Sequence, residues 1–151
     1  MVTLENNYWF QGHLDINASY NFRNLRYNLD SKHFDRRLKL YFEEARCNIN
    51  RPDWVDNLIA VFPISGVEWS INCLYPNSMV KFHWPILKNN QDRIKIIVFL
   101  EDWQSGQYME FSQRPTVKWA SGDFVAFTHA TGCHVNSGNT IRYTLEITGS
   151  L

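Results

Sequence analysis

From residue 67 onward, hydrophobic and polar positions alternate or gather in short runs. RIKIIVFL sets Ile94, Ile96, Val98 and Leu100 against Arg93, Lys95, Ile97 and Phe99. TIRYTLEIT sets Ile141, Tyr143, Leu145 and Ile147 against Thr140, Arg142, Thr144 and Glu146. A period of two suits a strand, whose successive side chains point to opposite faces. VEWSINCLY, SMVKFHW, QYMEF, TVKW and DFVAF are further strand-like runs, separated by Gly, Pro, Asn, Asp or Ser. Seven such runs within about 85 residues predict an antiparallel sandwich or barrel.

Upstream the period changes. In SKHFDRRLKLYFEEARCN, the residues Phe34, Leu38, Tyr41, Phe42 and Ala45 recur at helical spacing. Ser31 is placed as an N-cap and Asn48 and Asn50 as a stop, which predicts a helix between them. A second, shorter helix is predicted from Arg51-Pro52-Asp53, because Pro suits a first turn and Asp the positive helix end. Trp54, Leu58 and Ile59 form its apolar stripe, and Pro63 ends it. Residues 1–30 read as short strands or irregular chain. Two helices followed by a run of strands is an α+β order, mainly β. The expectation is one domain over 1–151, with an N-terminal helical cover (1–66) packed on one sheet of a β core (67–151).

Composition narrows the partners. Lys+Arg and Asp+Glu are both 15 of 151 residues, so no net field draws in nucleic acid or an anionic membrane. Arg36-Arg37-Leu38-Lys39 is the one local basic run and reads as the wet face of a helix. The start, MVTLENNYWFQGH, has no basic segment followed by an apolar core, and no run is long enough for a membrane span. The three cysteines (Cys47, Cys73, Cys133) are odd in number and have no short pair spacing. That speaks against a disulfide framework or zinc ribbon and suits a reducing, cytoplasmic compartment.

For chemistry, His83 and His134 fall at strand ends, with His129 on the loop before the second. Neutral imidazole ligates iron, zinc, copper or nickel, and two strands distant in sequence can be neighbours in a closed β-sandwich. The plainer reading is two unrelated histidines. Trp84, Trp103, Trp119 and Tyr108 read as cavity mouth or as core, and Glu110 as a cupin-style ligand or as a solvated strand residue. There is no G-x-S-x-G elbow, P-loop or dinucleotide-binding glycine pattern.

YPNSMVKFH, the strand opened by Arg93, VKWASGDFVAF, CHVN and IRYTLEIT together resemble the double-stranded β-helix (jelly roll, cupin-like) of iron- and 2-oxoglutarate-dependent oxygenases. The pattern is nearest the aspartyl/asparaginyl β-hydroxylase-like branch and covers about residues 67–148. FLEDWQSGQY and RYTLEITG also resemble short phage and environmental proteins. The resemblance implies a dioxygenase that hydroxylates a small-molecule or peptide substrate, with Fe(II) on His83 and His134. It places Arg142, eight residues past His134, against the distal carboxylate of 2-oxoglutarate. Two departures stand against it. Pro85 occupies the place of the usual carboxylate ligand, and Ile97 that of a cofactor-contacting histidine. Asp92 is either a third ligand swung in from its loop or the cap of an Asn-Asn-Gln-Asp turn. The alternative function is a non-catalytic β-helix that binds a ligand or partner, or a phage-type accessory protein, without metal. A third is a cupin-like metal isomerase or sugar-binding protein.

Overall fold

The computed structural model describes residues 9–16, 34–39, 42–47, 53–84, 93–112, 114–128 and 130–151. The strands are β1 (Trp9–His13), β2 (Phe34–Lys39), β3 (Phe42–Cys47), β4 (Ser65–Leu74), β5 (Ser78–Trp84) and β6 (Arg93–Phe99). They continue with β7 (Gln107–Phe111), β8 (Arg114–Thr116), β9 (Asp123–Phe127), β10 (Ala130–Asn136) and β11 (Arg142–Ser150). Among the described residues one helix, α1 (Asp53–Val61), precedes β4.

The strands form two antiparallel sheets. The larger runs β1-β9-β6-β11-β4-β3-β2 and the smaller β5-β10-β7-β8. From β4 to β11 the chain passes back and forth between the sheets, so that β4, β6, β9 and β11 build one wall and β5, β7, β8 and β10 the other. This is the eight-stranded double β-helix of a jelly roll, as the strand-rich texture and the resemblance predict.

At β4, β6, β9 and β11 the seven-stranded sheet buries both faces. Trp69, Ile71 and Cys73 of β4, Ile94, Ile96 and Val98 of β6, and Tyr143, Leu145 and Ile147 of β11 form one cluster with Trp54, Val55, Leu58 and Phe62. Helix α1 therefore covers the outer face. Its first turn carries Asp53 and Asp56, which the helix dipole favours, and Pro63 follows its last turn. The other face looks into the barrel, where Ile97, Phe99, Val125 and Phe127 meet Met109 and Phe111 of the smaller sheet.

Three sequence expectations need correction. The helix expected to follow Ser31 is a β-hairpin: Phe34 pairs with Cys47 and Lys39 with Phe42, and β3 then pairs with β4. Local spacing is a weak prior. An open sheet edge at β4 presents N–H and C=O groups that a strand pairs and a helix cannot. The helical cover is thus α1 alone among the described residues. TVKW does not continue as a strand, because β8 ends at Thr116 and Lys118 takes a left-handed φ of 58°. Conversely β10 is a full strand where only His134 was marked, as a strand end. Gly132 hides it from β-propensity. A Cβ there would lie 1.7 Å from the Glu110 carbonyl oxygen, so the close pairing of β10 with β7 excludes any side chain at that position.

Candidate functional site

Strand parity decides what faces the barrel interior. On β11, Arg142 pairs with Leu74, Thr144 with Asn72 and Glu146 with Ser70, so these six share the inner face. On the smaller sheet His134 pairs with Met109 on one side and Val80 on the other, and Asn136 pairs with Gln107. The interior is therefore divided. The β6 and β9 side is apolar, whereas the β4 and β11 side presents Arg142, Thr144, Asn72 and Ser70, all buried. Lys95 of β6, the exception on the apolar side, and Glu146 of β11, each largely buried, form an ion pair between the two halves.

Arg142 is the centre of this polar half. It is 4% exposed. One terminal nitrogen donates to Nδ1 of His134 at 3.0 Å and the other to the Tyr108 carbonyl at 3.3 Å. The Trp119 ring lies 6.0 Å from the guanidinium carbon and itself stacks on Phe99. Burial lowers the Arg142 pKa to about 10, with Glu146 acting in the opposite sense, so the group remains a cation at neutral pH. Its Nε–H is buried and has no partner. Glu146, the one inner-face carboxylate on its strand, is engaged by Lys95.

His134 is fully enclosed, with Phe82 edge-on at 4.9 Å and Phe111 at 6.3 Å. Burial and then the Arg142 charge push its pKa well below the ordinary histidine value, so the ring is neutral. A guanidinium can only donate, so Nδ1 accepts and Nε2 carries the proton. Asn136 closes this end of the barrel: its amide donates to the Leu74 and Thr140 carbonyls at 2.9 and 2.8 Å.

Of the residues singled out in the sequence, His134 and Arg142 meet directly. His83 does not follow the same register. It pairs with Thr131, three residues along β5 from Val80, the partner of His134. An odd offset puts positions 83 and 134 in rows on opposite faces of the sheet. Position 83 falls in the row of Lys81 and Met79, both exposed, while Phe82 supplies the inward contact to His134. Asp92, His129 and Pro85 lie outside the described residues. Ile97 is fully buried in the apolar half, and Glu110 accepts a hydrogen bond from the Tyr108 hydroxyl at 2.6 Å on the outer face. That bond raises the Tyr108 pKa. Trp119 is core.

The described residues do not fit a metal. No three His, Cys, Asp or Glu side chains gather among them. His134 presents one nitrogen occupied by Arg142 and one protonated, so neither lone pair is free for a cation. Asn72, which sequence reading passed over as an ordinary strand residue, is 2% exposed, and both its amide atoms lack partners. The signal was its place in VEWSINCLY, on the polar parity of an otherwise apolar strand.

No family model matches the sequence, and no curated protein matches it. The fold, however, is shared with solved structures. A prolyl-4-hydroxylase from Pseudomonas putida superposes with a TM-score of 0.65 at 12% identity, covering 94% of this chain and 91% of the other. The plu4264 protein of Photorhabdus luminescens gives 0.52 at 7% identity, covering 89% and 88%. KdgF from a Halomonas species gives 0.50 at 8% identity, covering 81% and 91%. No helix among the described residues is long and apolar enough to cross a membrane. Strand order and these likenesses together establish the chain as a cupin-like jelly roll, the double-stranded β-helix fold.

Proposed function

We propose that the chain is a non-catalytic, ligand-binding β-helix that takes a small carboxylate into its barrel against Arg142, without a metal. One observation carries this reading: a buried guanidinium with no carboxylate at ion-pair distance among the described residues and an unpartnered Nε–H. An uncompensated buried charge is costly, and a carboxylate meets guanidinium with parallel charge-assisted hydrogen bonds.

The test is binding and thermal stability with succinate and 2-oxoglutarate, before and after chelation. The reading expects a stabilising shift that grows with ligand concentration, is unaffected by chelator, and disappears in Arg142→Met. Absence of any shift with either anion, or loss of folding stability on chelation, overturns it.

A second reading has its own support in the fold likeness to the prolyl-4-hydroxylase and in Arg142 standing at the start of the last strand. In it the chain is an Fe(II)/2-oxoglutarate-dependent dioxygenase of a small-molecule or peptide substrate. His83 and His134 hold iron, Asp92 is a third ligand, and Arg142 holds the 2-oxoglutarate carboxylate. It requires His134 to release Arg142 and change tautomer, and β5 to shift register so that position 83 joins the row of His134. Elemental analysis separates the two readings: the dioxygenase carries iron that His83→Ala and His134→Ala lose, whereas the binding module carries none in any form.

A further inference from the structure

Asn72 is the least satisfied polar group described in the barrel wall. It lies on β4 opposite Thr144, on the inner face, and its register places it one diagonal step from Arg142. Same-face diagonal neighbours in a sheet sit roughly 7–8 Å apart. Neither its Oδ1 nor its Nδ2 has a hydrogen-bond partner, although the residue is almost wholly buried. Buried amide groups are nearly always paired, and each unpaired atom costs free energy. Thr144 and Ser70 beside it are also buried, so the wall around it is polar.

We propose that Asn72 is a second anchor in the Arg142 site and that the bound molecule carries, besides its carboxylate, an amide-like group that both donates and accepts. This rests on the carboxylate reading above and deepens it. A ligand primary amide set against the Asn72 amide forms two hydrogen bonds at once: ligand N–H to Oδ1, and Nδ2–H to the ligand carbonyl. A carboxylate at this position would leave the Nδ2 donor satisfied and Oδ1 facing an anion, so Asn72 selects against a second carboxylate. The ligand class is a short ω-amide monocarboxylate. Binding leaves all covalent bonds intact.

Succinamate and 4-oxopentanoate serve as probes, because they differ only in exchanging the amide NH₂ for a methyl group. Isothermal titration of the full chain is expected to show succinamate binding about tenfold more tightly than 4-oxopentanoate, the size of one buried hydrogen bond. Succinate, with a second carboxylate, is expected to be weaker than succinamate. In Asn72→Leu the preference for succinamate disappears and the melting temperature of the ligand-free protein rises, since two unsatisfied buried atoms are removed. A purely structural asparagine would give the opposite thermal result. Equal affinities for succinamate and 4-oxopentanoate in the wild-type chain overturn the proposal, and this comparison needs no variant to fold. In that outcome the Arg142 reading stands as long as both anions bind. If none of the three binds, both readings fall.

Discussion

The two faces of the seven-stranded sheet are equally dry and chemically unlike. Outward, Trp69, Ile71, Tyr143, Leu145 and Ile147 pack on α1 as an apolar layer. Inward, the same two strands, β4 and β11, present Ser70, Asn72, Arg142, Thr144 and Glu146. Apolar burial stabilises by roughly 25 cal/mol for each Å² removed from water, so along β4 and β11 it is the outer face that contributes most to stability. Buried polar groups contribute little net stability even when paired, and cost when they are not. One wall thus divides the tasks, with stability on one side and recognition on the other.

The sharpest way to break this contrast is to cut each face in turn. Leu145→Ala on the outer face is expected to cost about 3 kcal/mol in urea unfolding, through lost burial and the cavity left behind. Its neighbour Thr144→Val on the inner face is expected to change stability by less than about 1 kcal/mol, because it removes a hydroxyl from a polar wall and keeps the volume. Equal losses would refute the division.

Acid sharpens the same comparison. His134 is neutral in the folded barrel, its pKa pushed well below 6.5 by burial and by Arg142. Above that value neither folded nor unfolded chain protonates this ring. As pH falls below it, the unfolded chain takes up a proton that the folded chain refuses, and stability drops. The slope from this one group approaches about 1.4 kcal/mol for each pH unit until the folded pKa is reached. Unfolding free energies measured from about pH 7 down to pH 5, ahead of most carboxylate titration, should therefore decline in the wild type. In His134→Gln the decline should be shallower by that contribution. An unchanged slope would mean that the ring is not held neutral.

The smallest effect belongs to the helix. Asp53→Ala removes a favourable charge from the first turn of α1 and is expected to cost about 0.5 kcal/mol. It should leave carboxylate binding untouched, because α1 packs on the outer face alone. A change in affinity would show that the two faces communicate.

The sequence made much of the architecture readable. The alternation in RIKIIVFL and TIRYTLEIT assigned the two faces of β6 and β11 correctly, since a period of two is a local geometric property. DFVAF coincides with β9, and the stop at Pro63 holds for α1. The hairpin of β2 and β3 was not readable, because Phe34, Leu38 and Ala45 fit a helix as well as a strand and the edge of β4 settled the matter. At the site, Arg142 was singled out by the resemblance; its place on the polar parity of its strand was equally compatible with a solvent-facing row. Only the opposing sheet shows that Arg142 and Thr144 face inward and are buried, whereas Thr140 lies exposed before the strand. The pairing of His83 with His134 rested on order along the chain. Register, which depends on how β5 and β10 align, sets the two positions in different rows.

By itself the sequence determined which residues alternate, where turns break the chain and which polar groups punctuate the strands, because these follow from bond geometry and local sterics. The tertiary structure alone decided which face of each strand is enclosed, that Arg142 captures the lone pair of His134, and that Asn72 is buried without a partner. Those outcomes depend on what lies across the barrel, and contacts between residues far apart in the chain leave no periodic trace in either partner.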